Sequence, residues 1–190
     1  MTSGEIQTRL LESEINYTGA ELRPHYILSQ HKIQGSALIA FIGACDVKTD
    51  HLVDWEDRLN NDSIKAAKMV HFIGEFFQST LREGVLRQRL LMSIIHDVLL
   101  EKLPKVEMKR SGDDLFVGDR KLSVSIVTSS PVSQLLHAAI NLDPAGAPVK
   151  AIGVIELGLQ DFGWVKEVLT RFAEEWVSIE QACTKVRPVM

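Results

Sequence analysis

The segment GDDLFVGDRKLSVSIVTSSPVSQLLHAAINLD, residues 112–143, carries the strongest structural signal in the chain. Gly118-Asp119 stands between two runs of alternating apolar and polar residues, a pattern typical of a tight β-hairpin. A strand is predicted over residues 121–128, and QLLHAAINL is predicted to return beside it after the loop SSPVS. The segment therefore indicates consecutive antiparallel strands joined by short turns.

Alternation divides these two strands into an apolar face and a face of small polar side chains. A five-residue loop would place Ser125 opposite His137 and Lys121 opposite Asn141. One interpretation is a half-exposed sheet whose polar face meets water. The other is a ligand surface, because solvent faces usually carry larger side chains and a lysine at its edge suits a carboxylate or phosphate. The polar face would comprise Lys121, Ser123 and Ser125 on one strand and His137, Ala139 and Asn141 on the other.

Three longer stretches show helical spacing of apolar residues. The sequence TLRE, residues 80–83, fits a capping box, so a helix should begin there and end before Pro104. Another helix is expected over residues 164–183, with Cys183 on its apolar side. A helix capped by Asp62 or Ser63 is expected over residues 64–77, with Ala66, Met69, Val70, Ile73, Phe76 and Phe77 on its apolar face.

Further strands are expected over residues 6–16, 36–47, 106–110 and 114–117. The order of elements predicts an α+β fold with a mainly antiparallel sheet packed by helices on one face. At 190 residues the chain is expected to form a single domain, residues 1–190.

Composition narrows the function classes. The net charge of −4 makes general nucleic-acid binding unexpected, although a local basic pocket for one small anion is compatible with it. Cys45 and Cys183 form no CxxC motif, and two buried free thiols are favoured over one disulfide. The N-terminal residues lack the apolar core of a secretion signal, and no run is long enough for a membrane span, so a cytoplasmic protein is expected.

Other charged residues are weaker candidates for a site. Arg23 and His25 flank a proline that begins a short helix, which indicates either a solvated turn or an anion site. Arg87 lies on the buried side of its helix and would serve either a structural contact or an anion. The acidic run that includes Asp54 and Asp57 would be a helix-initiating turn or a set of oxygen ligands for Mg²⁺ that accompanies a nucleotide.

The hairpin segment resembles a known superfamily. DDLFVGDRKLSVSI is similar to the part of biotin and lipoate protein ligases where a hairpin leads into a strand that opens with a catalytic lysine, and LLHAAINLD is similar to the strand that follows it. YTGAELRPHYI, VDWEDR, LRQRLL and HAAIN also resemble the prokaryotic domain of unknown function 366 family. That family is grouped with the class II aminoacyl-tRNA synthetase and biotin ligase catalytic domains. The resemblance implies that Lys121 would contact a substrate carboxylate and an adenylate phosphate.

The chain also departs from the ligase pattern. Val124 stands near the place of a ligase glycine, and the region WEDRLNNDS offers Arg58 but none of the glycines of the ligase phosphate loop. Octanoyl transferases of this fold carry a Pro-Cys-Gly turn, where this chain has Pro144-Ala145-Gly146. The missing glycines count against ATP-dependent adenylation. The missing cysteine counts against the thiol-dependent transferase mechanism unless Cys45 takes its place.

Two hypotheses of different classes follow. The first is an ATP-dependent ligase or acyltransferase that binds a small-molecule carboxylate, with ATP and Mg²⁺ as the implied cofactors and Lys121 holding the developing charge. The second is a metabolite-binding or assembly protein that keeps the fold without adenylation. The final amphipathic helix would suit a homo-oligomer or an ordinary core equally well.

Overall fold

The computed structural model describes residues 6–189 and contains a five-stranded mixed sheet in the order β1-β2-β3-β8-β7. The strands β1 and β2 run parallel, and every other neighbouring pair in this sheet is antiparallel. The sheet is therefore mainly antiparallel, as predicted. Its strands are β1 (Gln7–Leu10), β2 (Ala37–Val47), β3 (Ile64–Phe77), β7 (Ser123–Ser129) and β8 (Ser133–Asp143).

A second, three-stranded sheet is formed by β4 (Met108–Ser111), β5 (Asp114–Val117) and β6 (Arg120–Lys121). Val117 pairs with Arg120 across the turn Gly118-Asp119, which confirms the predicted hairpin. Gly118 has φ of 62°, a left-handed conformation that glycine adopts without a steric penalty. The chain leaves this small sheet at Lys121 and enters the main sheet at Ser123.

Two long helices, α3 (Leu81–Lys102) and α4 (Gly163–Thr184), pack against one face of the main sheet. Thr80 and Glu83 form the predicted capping box at the start of α3. Within residues 6–189, no helix is both long and apolar enough to cross a membrane. The core on this face includes Phe72, Phe76, Leu91, Ile95, Val98, Trp164, Val168 and Phe172.

The opposite face of the sheet is covered as well, although covering on one face alone was expected. The segment that contains the short helix α1 (Tyr26–His31) lies over β2 and the neighbouring part of β3. A further short helix, α2 (Trp55–Leu59), begins at Asp54, which caps it. This second core includes Tyr17, Tyr26, Ile27, Ile39, Phe41, Met69 and Ile73.

The helix predicted over residues 64–77 is wrong, because this segment is the central strand β3. It lies between β2 and β8, and the cores on the two sides of the sheet cover both of its faces, so its apolar residues do not alternate with polar ones. An extra residue in β3 between Ala66 and Met69, opposite Gly43 to Cys45 of β2, further disturbs the two-residue period. Its apolar residues therefore matched a helical period by coincidence, and Asp62 and Ser63 cap no helix.

The two cysteines are both free, as favoured, but only Cys45 is buried. Cys183 is exposed because α4 is largely solvent-exposed from Glu174 onward, where its apolar side no longer meets the sheet. The predicted extent of this helix is nevertheless confirmed to within one residue at each end.

Candidate functional site

A cavity of about 250 Å³ lies on the sheet face opposite α3 and α4. Strands β7 and β8 form one wall through Val124, Ile126 and His137. The opposing walls come from residues 52–57 around the start of α2, from residues 62–65, and from the loop 147–151. The cavity thus lies where the small sheet, the main sheet and three connecting segments meet.

Lys121 reaches this cavity from the junction of the two sheets. Its backbone amide donates to the Lys150 carbonyl (2.9 Å), and its own carbonyl accepts from the Ile152 amide (3.0 Å). The Asn141 side-chain amide donates to the same Lys121 carbonyl at 3.2 Å. These bonds fix the backbone from which the lysine side chain extends.

The Lys121 ammonium is paired with a partly buried carboxylate. Its Nζ lies 3.0 Å from Asp114 Oδ2, and the two side chains are 32% and 27% exposed. Burial raises the pKa of Asp114 above its ordinary value, and the nearby Lys121 partly offsets that rise. An ammonium group has three donors, so Lys121 can keep this pair and still bind a ligand oxygen.

Acidic side chains line the cavity beside the lysine. Asp54 Oδ1 accepts from the Glu56 amide at 2.7 Å, so this carboxylate serves as a helix cap. Burial, with the charges of Asp54 and Asp62, raises the pKa of Asp57. No cluster of three or more metal-ligating side chains occurs within residues 6–189. Asp54 therefore initiates α2, and Asp54, Asp57 and Asp62 give the cavity negative charge.

His137, in the cavity wall, belongs to a buried pair of imidazoles with His71, which lies behind that wall. Its Nε2 lies 3.1 Å from Nδ1 of His71, whose Nε2 lies 3.3 Å from the Gly43 carbonyl oxygen. The Tyr17 ring stacks on His137 with centroids 3.8 Å apart. Burial lowers the pKa of His71 to about 4, and burial with the neighbouring His71 also lowers the pKa of His137. Sequence reasoning missed His71 because it lies in the segment predicted to be a helix.

The predicted pairing of the two strands is shifted by one residue. Ser125 lies opposite Ala138, and His137 lies opposite Ile126. The expected loop SSPVS is instead a two-residue turn over Pro131-Val132. The Ser130 amide donates to the Ser133 carbonyl oxygen (2.8 Å), and the Ser133 amide donates to Ser130 Oγ (2.9 Å). The turn is three residues shorter than predicted, so the pairing of β7 with β8 is displaced by one residue. A displacement of one residue moves the other set of β7 side chains to the face that His137 occupies.

Ser123 and Ser125 consequently direct their hydroxyl groups away from His137. Ser123 Oγ accepts from the Leu115 amide at 2.8 Å and is fully buried. Ser125 Oγ lies 3.0 Å from Asp113 Oδ2 and 2.8 Å from Gln88 Nε2 of α3. Both residues border the cavity, but these hydroxyl contacts hold β7 to the small sheet and to α3.

Arg23 and His25 do not line the cavity. The Arg23 guanidinium lies 5.4 Å from the centre of the Tyr26 ring. The His25 amide donates to the buried Glu75 carboxylate at 2.8 Å. Both residues therefore make contacts at the start of α1, separate from Lys121.

Arg58 and Arg87 also lie outside the cavity lining. Arg58 Nη1 donates to the carbonyl groups of Asp50 and Leu52, each at 3.1 Å, and so braces the loop that forms one cavity wall. Arg87 is on the buried side of α3, as predicted, with its guanidinium 5.2 Å from the Phe76 ring centre and 4.6 Å from that of Trp176. Aromatic contacts therefore hold Arg87 in place.

The turn at residues 144–146 supplies no thiol, and Cys45 is no replacement. Burial raises the pKa of Cys45 to about 12, so its thiol remains protonated at neutral pH. A protonated thiol is a poor nucleophile, which disfavours the thiol-dependent transferase mechanism.

Comparison with known proteins identifies the family. The model for the domain of unknown function DUF366 matches residues 6–187. The chain belongs to the DUF366 family. An uncharacterized protein of Methanocaldococcus jannaschii is 33% identical over 187 residues, covering 95% of this chain and 84% of that protein. The structure of a protein of unknown function from Pyrococcus horikoshi superposes with a TM-score of 0.90 at 34% identity, covering 97% of this chain and all of that one.

More distant structures share the fold of this DUF366 protein. Biotin protein ligase from Aquifex aeolicus, in complex with biotin and ATP, has a TM-score of 0.57 at 12% identity over 92% of this chain and 72% of its own. Lipoate-protein ligase A bound with ATP has a TM-score of 0.55 at 13% identity, over 90% and 86% of the two chains. At these identities the similarity shows the biotin/lipoate ligase fold alone.

Proposed function

We propose that this DUF366 protein binds a carboxylate-bearing small molecule in the cavity, with Lys121 as the partner of the anion. The observation that carries the proposal is the position of Lys121, whose backbone is held by three hydrogen bonds and whose ammonium group borders the cavity. Its side chain is one-third exposed, so the group is partly shielded from water and still accessible to a ligand. Partial shielding strengthens a charge-assisted hydrogen bond to a carboxylate.

The charge of the cavity favours a small anion over a polyphosphate. Two lysines, Lys65 and Lys121, line it together with Asp54, Asp57 and Asp62. A single carboxylate can lie beside Lys121, whereas a triphosphate would also meet the three aspartates. In the enzymatic form of the proposal, Mg²⁺ would have to enter with ATP to offset this repulsion, and Lys121 would then stabilise negative charge on the acyl phosphate.

The acidic lining also supports a second candidate, a binding protein that does not adenylate its ligand. Val124 occupies the sheet wall near the place of the ligase glycine, and its side chain packs into the second core. Such a protein would bind the carboxylate without turnover. The two free cysteines fit the reducing cytoplasm for either form of the protein.

Thermal unfolding in the presence of ligands tests the proposal. The purified protein is heated with a panel of aliphatic and heterocyclic carboxylic acids, each with and without ATP and Mg²⁺. A ligand at 100 times its Kd contributes about 2.7 kcal/mol and should raise Tm by roughly 5 to 10 °C for a chain of this size. Lys121→Ala should abolish the shift, whereas Lys105→Ala, at an exposed position outside the cavity lining, should retain it.

The outcomes separate the two candidates. A carboxylate shift that increases with ATP and Mg²⁺, together with release of pyrophosphate, supports the ligase. A carboxylate shift that ATP leaves unchanged supports the binding protein. No carboxylate shift, or a shift that Lys121→Ala retains in full, refutes the role of Lys121.

A further inference from the structure

The buried pair of imidazoles determines what the cavity can recognise. We infer that His137 presents the lone pair of Nδ1 to the cavity, so that the ligand must bring a hydroxyl or N–H donor to that atom. This inference deepens the proposed function and rests on it for the anionic end of the ligand. The ligand class would be elongated carboxylates that carry a hydrogen-bond donor at the end opposite the carboxylate.

The direction of the hydrogen bonds follows from one fixed acceptor. The Gly43 carbonyl oxygen cannot donate, so His71 Nε2 must carry the hydrogen across their 3.3 Å contact. In a neutral imidazole the other nitrogen is then an acceptor, and His137 Nε2 must donate to His71 Nδ1 across 3.1 Å. His137 therefore has its hydrogen on Nε2 and a lone pair on Nδ1.

The surroundings keep both rings neutral. Both histidines are almost completely buried, and within residues 6–189 no carboxylate makes a hydrogen bond or ion pair with either ring. Aromatic rings of Tyr17 and Phe41 cover the pair, and burial raises the pKa of Tyr17, so its phenol is also uncharged. A charged imidazolium would lack a counterion here, so both rings stay neutral. His137 therefore donates to His71, and His71 donates to the Gly43 carbonyl oxygen.

The Nδ1 atom of His137 is open toward the cavity. It has no hydrogen-bond partner among the residues that the structure describes. His137 Nδ1 also retains some solvent accessibility. Within residues 6–189, the side-chain atoms that are completely buried without a hydrogen-bond partner belong to His31, Arg87 and Trp164, and His137 Nδ1 is not one of them. His137 is only 2% exposed, and it lines the cavity, so the cavity provides its access to solvent.

The distance along β8 sets the shape of the ligand. Asn141 contacts the Lys121 carbonyl, and His137 lies four residues earlier on the same strand face. Four residues of strand correspond to about 13 Å. A molecule that spans this length of β8, from the backbone of Lys121 to His137, is therefore extended. Met69, opposite Asn141, and Val124, opposite Ala139, add apolar side chains to the lining along it.

A hydrocarbon at the far end would be disfavoured. It would remove water from Nδ1 without replacing the lost hydrogen bond, whereas a hydroxyl or N–H group would satisfy this acceptor. The site should discriminate strongly between the two kinds of ligand, because a hydrocarbon leaves the buried Nδ1 of His137 without a hydrogen bond. We expect a preference of about tenfold or more for the donor-bearing ligand.

Two measurements test this inference. Long-range ¹H–¹⁵N correlation spectra of the ligand-free protein at neutral pH report the tautomer of each histidine, with His71→Gln and His137→Phe used for assignment. We expect hydrogen on Nε2 of both His71 and His137. A hydrogen on Nδ1 of His137, or a protonated ring, would overturn the inference whether or not any ligand binds.

The second measurement compares matched ligands by calorimetry. Octanoate, decanoate and dodecanoate are each titrated against their ω-hydroxy counterparts. The best hydroxy acid should bind about tenfold or more tightly than its parent, and His137→Phe should remove this preference while Lys121→Ala weakens both ligands. Binding of both series with equal affinity would refute the inference and leave the proposed function standing. Binding of neither series, with the expected tautomers, would instead count against the proposed carboxylate.

Discussion

Acidification should destabilise this protein through His71 before its carboxylates titrate. The pKa of His71 is lowered by burial to about 4 in the folded chain, against an ordinary value of 6.5. The unfolded chain therefore binds the proton first as pH falls, so stability is highest above pH 6.5, decreases as pH falls toward 4, and levels off below that value. Between pH 7 and 5 this loss amounts to about 2 kcal/mol for His71 alone.

His137 contributes in the same direction, since its pKa is also lowered by burial. Most carboxylates titrate near pH 4 and add little between pH 7 and 5. Asp57 and Asp114 oppose part of the decrease, because burial raises their pKa values and they take up protons first in the folded chain. Urea unfolding, followed by tryptophan fluorescence at several pH values in this interval, measures the decrease directly. The free energy of unfolding should fall, with His71 responsible for about 2 kcal/mol of the decrease.

Variants assign the decrease to a residue. His71→Gln removes one titrating group and should flatten the pH dependence by about 2 kcal/mol, whatever its stability at pH 7. His51→Gln, at an exposed position, should keep the wild-type pH dependence. A wild-type protein equally stable at pH 7 and 5, or a His71→Gln variant with the full decrease, would refute the interpretation of this residue as a buried neutral imidazole.

Three substitutions test the fold by urea unfolding. Thr80→Ala removes the capping box of α3 and should cost about 1 kcal/mol, and an unchanged midpoint would show that the cap contributes nothing. Gly43→Ala would place a Cβ in steric overlap with the Ile15 carbonyl oxygen, so a loss of about 3 kcal/mol or more is expected, and near-wild-type stability would contradict this close approach. Phe172→Ala should lower the free energy of unfolding by about 3–5 kcal/mol, because the Phe172 side chain is fully buried. Ile179→Ala, at a position 45% exposed on the same helix, should change it little. Equal losses for the two variants would contradict the burial described for α4.

Local signals in the sequence predicted local structure. The turn Gly118-Asp119 and the capping box Thr80–Glu83 each depend on a few neighbouring residues, and both are confirmed. The α+β class also follows, because several strand patterns and two long amphipathic helices are visible without knowledge of their contacts. The failure at residues 64–77 has the opposite origin, since a strand in the middle of a sheet is apolar on both faces.

The candidate site required tertiary information that alternation does not contain. Lys121, His137 and Asn141 were identified from the strand pattern, and all three line the cavity. His71 was missed, although its contact with His137 determines which nitrogen faces the ligand. A histidine inside an apolar run gives no indication of its partner until the pairing of β3 with β8 is known.

The separation of Lys121 from the two serines has a structural cause beyond the shifted register of β7 and β8. Leu122 and Ser123 are adjacent in the chain, yet both are fully buried toward α3 and α4, so strict alternation is interrupted where the chain passes from the small sheet to the main one. This interruption leaves Lys121 on the cavity side and turns the hydroxyl groups of Ser123 and Ser125 to the other. A regular strand would have kept the lysine and both serines on one face. Lys121 and His137 therefore both border the cavity, with the apolar side chains of Val124 and Ile126 beside them, whereas both serine hydroxyl groups are used in contacts behind the sheet. This arrangement is what the proposed elongated carboxylate would exploit.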